Sequence, residues 1–177
     1  MSFPVDLLID EHKLIIQAVE VIKAKLAQIE TSKTVNPNSI TAMVDFFRTY
    51  ADKYHHGKEE GILFKELAQK KLNENDRKIM NELIQEHAFA RRTVTALESA
   101  KESYILGKEE ALKNITDHLT TLTKFYPAHI EKEDKHFFYP CMEYFSQQEQ
   151  KNMLTRFQDF DQNFTNKKYL RIINSGF

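Results

Sequence analysis

The sequence predicts an all-α protein, an up-down-up-down antiparallel four-helix bundle with a short C-terminal fifth helix. Three observations predict this fold. Apolar residues recur at helical spacing along most of the chain, polar breaks divide the pattern into four long segments, and the 177 residues include only four glycines and four prolines. Long amphipathic helices with short polar connections pack as an antiparallel bundle, whereas an all-β fold would need many more turn residues.

The first two segments each have one apolar stripe, and a polar stretch over residues 31–38 separates them. Steps of three and four residues place side chains on one face of a helix. The first stripe consists of Leu8, His12, Ile15, Val19, Ile22, Leu26 and Ile29. Pro37 is suited to the first turn of the second helix, which extends to about Lys70. The second stripe includes His56, Glu60, Leu63 and Leu67.

The third and fourth segments repeat this pattern after a polar break that begins at Asn73. The third stripe consists of Met80, Leu83, His87, Ala90, Val94 and Leu97. Gly107 follows it as a suitable C-terminal cap. The fourth stripe consists of Leu112, Ile115, Leu119, Leu122, Tyr126, His129 and Glu133. Each of the four stripes is therefore apolar except for one or two histidines or glutamates.

A shorter fifth helix is predicted after the fourth segment. Ser146 and Glu149 have the spacing of a capping box. The aromatic stripe that follows consists of Met153, Phe157, Phe160 and Phe164, and it could pack on the bundle or on a second subunit. We expect residues 1–145 to form the bundle and residues 146–177 to form a C-terminal helix and tail that pack on it.

Composition excludes several classes of protein. The formal net charge of −1 argues against nucleic-acid binding, which requires a basic surface. The longest apolar runs are far short of the ~20 residues of a membrane span, and the N-terminus lacks the pattern of a signal peptide. The lone cysteine, Cys141, cannot form an internal disulfide, which fits a reducing compartment. We therefore expect a cytoplasmic protein without nucleic-acid or membrane partners.

The histidines on the stripes form a pattern of their own. A His-x-x-x-Glu pair begins at His56 and another at His129, 73 positions later, and such pairs share a helix face. His12 and His87, which are 75 positions apart, come from the other two helices. The two halves of the chain thus mirror each other. The candidate metal-binding residues are His12, His56, Glu60, His87, His129 and Glu133.

Burying six such groups without a partner would be costly. Six ligands of mixed nitrogen and oxygen type can hold two metal ions, and imidazole with carboxylate but no thiolate suits iron, manganese or zinc. A single histidine on an apolar stripe is more often a hydrogen-bonded core residue. Four helices that each place a histidine on the stripe favour a metal site.

These motifs resemble the hemerythrin-like (HHE cation-binding) domain family, four-His/two-Glu type. The matching segments are Asp10-Glu11-His12, His56-Gly-Lys-Glu-Glu60-Gly-Ile-Leu-Phe64, Glu86-His87-Ala-Phe-Ala-Arg91 and His129-Ile-Glu-Lys-Glu133-Asp134. The resemblance covers residues 6–140 and implies a non-haem di-iron centre in an up-down bundle. It implies that the six candidates are the ligands. Glu60 and Glu133 would bridge two irons that are oxo- or hydroxo-bridged when oxidised.

One position departs from the oxygen-carrying members of this family, which have a His-x-x-x-His pair on the third helix. Arg91 stands four residues after His87, so one iron would have an open position or one filled by another side chain. The chain is more similar to bacterial members implicated in repair of iron–sulfur centres and in nitric oxide chemistry. It is also similar to the F-box iron and oxygen sensor domain.

The resemblance implies a cytosolic di-iron protein that binds or reacts with O2 or NO, with an electron donor or an iron acceptor protein as a further partner. The alternative is an iron store, donor or sensor without turnover. A ferritin-like oxidase is less consistent with the sequence. That fold uses two Glu-x-x-His motifs, and only Glu133 and His136 have this spacing here. A metal-free interaction bundle that uses the aromatic stripe of the fifth helix is a fourth interpretation.

Other residues near the candidates receive plainer interpretations. We expect Glu59 and Asp134 to lie on solvated faces, although either could contact a metal or its ligands. His55 and His136 point off the stripes and are expected to be exposed. Tyr50, Tyr54 and Tyr126 are expected core aromatics, His118 an end-of-bundle histidine and Cys141 a small buried residue.

Overall fold

The computed structural model describes residues 3–162, 164 and 167–177. Those residues form an all-α bundle and include no strand. The α-helices are α1 (Val5–Ser32), α2 (Pro37–Asp45), α3 (Lys65–Leu67), α4 (Glu74–Ile105), α5 (Ala111–His136), α6 (Phe138–Met142), α7 (Gln147–Asp161) and α8 (Lys167–Ser175). Between α2 and α3 the chain is π-helical over Phe46–His56 and Glu59–Phe64. We call residues 37–67 together the second helix.

Contacts between helices show the antiparallel order. Thr41, at the start of the second helix, bonds Lys101 near the end of α4, and Asp52, further along, pairs with Arg91, earlier in α4. His12, near the start of α1, contacts Asp134 near the end of α5. The predicted all-α bundle is confirmed.

Sequence signals mark the ends of the helices as expected. The side chain of Asn36 accepts a hydrogen bond from the Asn38 amide before α2, and Asn73 does the same for Asp76 before α4. Ser146 and Glu149 form the predicted capping box of α7. Gly107 follows α4 with a φ of +71°, a conformation that glycine adopts without strain.

Two apolar cores lie on either side of a polar centre. In α1, Leu8 belongs to one core and Leu14 to the other, and His12 lies between them. In α4, Leu83 and Val94 flank His87 in the same way. Fully burying an aliphatic side chain contributes about 1.5–3 kcal/mol, so these two cores can offset the cost of a buried polar layer.

The C-terminal residues pack on the bundle. Phe157 of α7 is completely buried, Phe164 stacks on Tyr54 with 4.0 Å between ring centroids, and Tyr169 of α8 contacts Tyr50. The aromatic stripe is therefore largely an internal contact. The predicted tail contains an additional helix, α8, which the sequence pattern did not indicate. No helix among the described residues has the length and apolar content that a membrane crossing requires.

Candidate metal centre

A cluster of buried histidines and glutamates occupies the layer between the two cores. The structure divides it into two groups in which the potential ligand atoms lie within 4.8 Å of one another. The three-histidine group is His56, His87 and His129. The two-histidine group is His12 and His55, with Glu59 and Glu133.

The carboxylates of Glu59 and Glu133 lie between the two groups. Glu133 places Oε2 3.3 Å from His12 Nε2 and Oε1 3.3 Å from His129 Nε2. Glu59 places Oε1 3.2 Å from His55 Nε2 and Oε2 3.4 Å from His87 Nε2. Each carboxylate therefore presents one oxygen atom to each group of imidazoles.

These atoms lack hydrogen-bond partners. Among the described residues, the buried polar side-chain atoms without a partner are His12 Nε2, His55 Nε2, His87 Nε2, His129 Nε2 and both carboxylate oxygens of Glu59 and Glu133. Such atoms are costly to bury. Ligand atoms bound at right angles to one transition-metal ion lie about 3 Å apart, which is close to the nitrogen–oxygen distances given above. The donor set therefore fits metal ions.

The outer nitrogen of each imidazole is held by a carboxylate. The Nδ1 atoms of His55 and His129 bond Glu11 and Glu86 at 2.9 and 2.7 Å. Further pairs of this kind are His12 with Asp134, His87 with Glu60 and His56 with Asp52. A bond to Nδ1 fixes the orientation of the ring and leaves Nε2 facing the centre, as in many metal sites.

The electrostatics of the centre show strong coupling between acids and bases. Burial opposes the charged form of His55, but Glu59 and Glu11 outweigh it and raise its pKa to about 10. Burial also opposes protonation of His87, whose pKa Glu133 and Glu60 raise to about 9. Without a metal, the buried carboxylates thus favour the protonated forms of these two imidazoles. Metal ions would supply the same positive charge and release those protons.

His56 has the opposite electrostatic behaviour. Burial and the neighbouring His87 lower its pKa well below the ordinary value. The two rings are stacked, with centroids 3.8 Å apart. Neutral imidazole is the form that binds metal.

The structure places the six candidates unequally. It brings His12, His56, His87, His129 and Glu133 together, but not Glu60. The Glu60 side chain is 31% exposed and bonds His87 Nδ1 and Arg91 from outside the cluster. Glu59, which was expected on a solvated face, is completely buried in its place.

His55 was expected to be exposed, and that expectation is wrong, because its side chain is buried in the cluster. The cause is the π-helix. Its hydrogen bonds span five residues rather than four, so consecutive side chains are rotated by a smaller angle and both His55 and His56 face the interior. The pairing of His56 with Glu60 on one helix face assumes an α-helical period, and the π-helical segments do not have that period.

The sequence contained a signal for His55 and Glu59. His55 and Glu59 have the same His-x-x-x-Glu spacing as His129 and Glu133, at an offset of 74 positions (55 to 129). The same offset relates Glu60 to Asp134, both of which bond a histidine Nδ1 from outside the cluster. The internal repeat is therefore real, but it pairs His55 rather than His56 with His129.

Other residues lie largely where the sequence predicted. Tyr50, Tyr54, Tyr126 and Cys141 are buried. His136 is exposed and His118 half-buried. Arg91, four residues after His87, pairs with Asp52 and Glu60. His56, from the second helix, is instead the third imidazole beside His87 and His129.

The fold and the site define a helical bundle that can hold metal cations with imidazole and carboxylate ligands. The family model for the hemerythrin HHE cation binding domain matches residues 4–141, which span both groups of the cluster. The chain therefore belongs to the hemerythrin HHE cation-binding family. No curated protein and no solved structure gave a significant match.

Proposed function

We propose that this protein is a non-haem di-iron protein that binds or reacts with a small diatomic gas, O2 or NO, in the cytoplasm. The two-histidine group would hold one iron and the three-histidine group the other. Glu59 and Glu133 would bridge them. The proposed ligands are His12, His55, His56, Glu59, His87, His129 and Glu133, so Glu59 replaces Glu60 in the predicted set and His55 is added to it.

The observation that carries the proposal is the position of the two carboxylates, whose oxygen atoms face both groups of imidazoles. Each of Glu59 and Glu133 presents one oxygen to each side, which is the arrangement that two adjacent ions would need. Nitrogen and oxygen ligands without thiolate are compatible with iron, and membership of the cation-binding family supports a metal.

Aromatic rings pack against three of the buried imidazoles. Phe138 stacks on His12, Phe64 on His87 and Phe125 on His129, with centroid distances of 5.6, 5.9 and 5.2 Å. A dry environment limits side reactions and proton access. Bound iron would supply a redox-active position for a diatomic ligand, and this enclosure suits a small uncharged one. The free, buried thiol of Cys141 is consistent with a reducing cytoplasm.

Anaerobic reconstitution with Fe(II), followed by metal analysis, tests the centre. We expect about two irons per chain, and spectral changes in the near-ultraviolet and visible range on addition of O2 or NO. His55→Ala should lower the iron content, whereas His118→Ala, a half-buried histidine outside the cluster, should not. Absence of iron after reconstitution would contradict the proposal.

The fate of the gas separates the two candidate functions. Consumption or stoichiometric binding of O2 or NO by the loaded protein would support the gas function. Transfer of iron to an apo acceptor protein, without gas binding, would instead support an iron store or donor.

A further inference from the structure

A cleft of about 350 Å³ lies between the second helix and α4. Its floor is apolar. The rings of Phe47 and Tyr126 stack there with centroids 5.0 Å apart, and Ala90 and Val94 add aliphatic surface beside them. Concave sites with apolar walls and a volume of about 300–1,000 Å³ are typical of small-molecule binding.

Charged side chains form the rim of this cleft, and positive charge predominates among them. Arg48, Lys53 and Arg91 contribute three cations, whereas Asp52 is the one acid among the described lining residues. Lys53 is exposed and has no ion-pair partner in the part of the chain that the structure describes. An anion at the rim would therefore face an excess of positive charge.

The two arginines are already paired, but their pairs do not use all of their donors. Nη1 of Arg48 lies 2.6 Å from Glu98, and the Arg48 side chain is 39% exposed. Arg91 donates to Asp52 and Glu60 through Nε and Nη2. A guanidinium group has five N–H donors, so each arginine retains donors for a further acceptor.

We propose that this cleft binds a small organic carboxylate, a molecule with one carboxylate group and an apolar aromatic or aliphatic body. The body would lie on the floor formed by Phe47 and Tyr126. The carboxylate would face Lys53 and Arg48 at the rim. Such a site is separate from the proposed binding of gas at the metal ions, because its ligand contacts the walls of the cleft and no metal.

The two surfaces of the cleft together select this class of ligand. A neutral apolar molecule would cover the floor, but it would offer the cations at the rim no acceptor. A small inorganic anion would satisfy the cations but would leave the apolar floor in contact with water. A carboxylate with an apolar body meets both surfaces, and its charge-assisted hydrogen bonds are about twice as strong as neutral ones.

Calorimetric titration of the full-length protein tests the site. The probes are 3-phenylpropionate and octanoate, each compared with its neutral amide. We expect the carboxylates to bind about tenfold or more tightly than the amides. Equal affinities for acid and amide, or no binding of either carboxylate, would overturn the proposal. The titration requires no metal ion, so its outcome is independent of the proposed gas function.

Two exposed lysines of the second helix provide a matched pair of variants. Lys53→Gln removes a cation of the rim and should weaken carboxylate binding about threefold or more, without changing amide binding. Lys65 is also exposed but does not line the cleft, and Lys65→Gln should change neither affinity. Equal weakening by the two variants would show a non-specific charge effect and would contradict the proposal.

Filling the cleft locates the apolar body of the probe. Thr95 lies on the exposed rim, and Thr95→Trp should weaken the binding of carboxylate and amide alike. Gln17, also exposed, lines a different cleft, and Gln17→Trp should leave both affinities unchanged. Wild-type affinity in Thr95→Trp, or equal losses in the two variants, would place the probe elsewhere and overturn the proposal.

Discussion

The two halves of the bundle orient the centre with equivalent side chains but bury them to different extents. Lys58 in the first half and Lys132 in the second each donate to a glutamate, Glu11 and Glu86, that bonds a cluster histidine. The Lys58 side chain is fully buried, whereas that of Lys132 is 29% exposed. We call these the first arm and the second arm: Lys58–Glu11–His55 and Lys132–Glu86–His129.

The C-terminal residues cause the difference. Asp161, the last residue of α7, accepts a hydrogen bond from Lys58 at 2.6 Å, and the Lys58 ammonium lies 3.8 Å from the centroid of the Tyr54 ring. On the second arm the additional partner of Lys132 is Glu82, within α4, which is itself exposed. Equivalent residues are therefore expected to contribute different amounts to the free energy of unfolding in the two halves. The reason is that α7, which lies outside the repeat, encloses only the first arm.

The largest expected effect concerns the carboxylates that the two halves share. Glu59→Gln and Glu133→Gln should each prevent loading of the second iron, because the oxygen that faces one of the two groups becomes an amide. Glu60 and Asp134 instead bond histidine Nδ1 atoms from outside the cluster. Glu60→Gln and Asp134→Asn should therefore retain both irons, with a metal affinity lowered about 10–100-fold. Metal titration of the four proteins measures this. If Glu60→Gln lost iron and Glu59→Gln did not, Glu60 would be a metal ligand, as the sequence predicts.

The two lysines provide the next comparison. Lys58→Met removes one of the two cationic partners of buried Glu11 and leaves it His55, so it should lower the free energy of unfolding by about 2–3 kcal/mol. Lys132→Met should cost only about 0–1 kcal/mol, because water can solvate Glu86. Urea denaturation of the metal-free proteins gives both values. Equal losses would show that α7 does not make the two arms different.

A smaller effect is expected from the additional partners of the lysines. Asp161→Ala should destabilise the protein by about 1–2 kcal/mol through the lost bond to a buried ammonium. Glu82→Ala should change the free energy of unfolding by less than about 0.5 kcal/mol. The same denaturation measurement applies. A larger loss for Glu82→Ala would reverse the proposed role of α7.

The helices and the burial of most candidate residues in one cluster were predictable from the sequence, because stripes and caps are local. His12, His87 and His129 sit on regular α-helical stripes, and the periodic argument places them correctly. Their carboxylate partners were harder to predict. Asp134 and Glu86 bond histidines across helices, and a stripe on one helix does not show which side chain of the next lies opposite.

The position of Glu60 at the edge of the cluster has a physical origin. Periodicity arguments assume a constant α-helical turn, and the second helix departs from it over Phe46–His56 and Glu59–Phe64. The wider turn brings His55 and Glu59 inward and leaves Glu60 at the edge. The offset of 74 positions between the two His-x-x-x-Glu pairs indicates the observed burial of His55 and Glu59, since a repeat compares residues without assuming a helical period.

Locating iron in a crystal of the reconstituted protein by anomalous scattering at the iron edge tests the central claim most directly. Our account predicts two peaks, one between His12 and His55 and the other among His56, His87 and His129, with the carboxylates of Glu59 and Glu133 contacting both. A single peak, or a peak coordinated by Glu60 in place of Glu59, would contradict it.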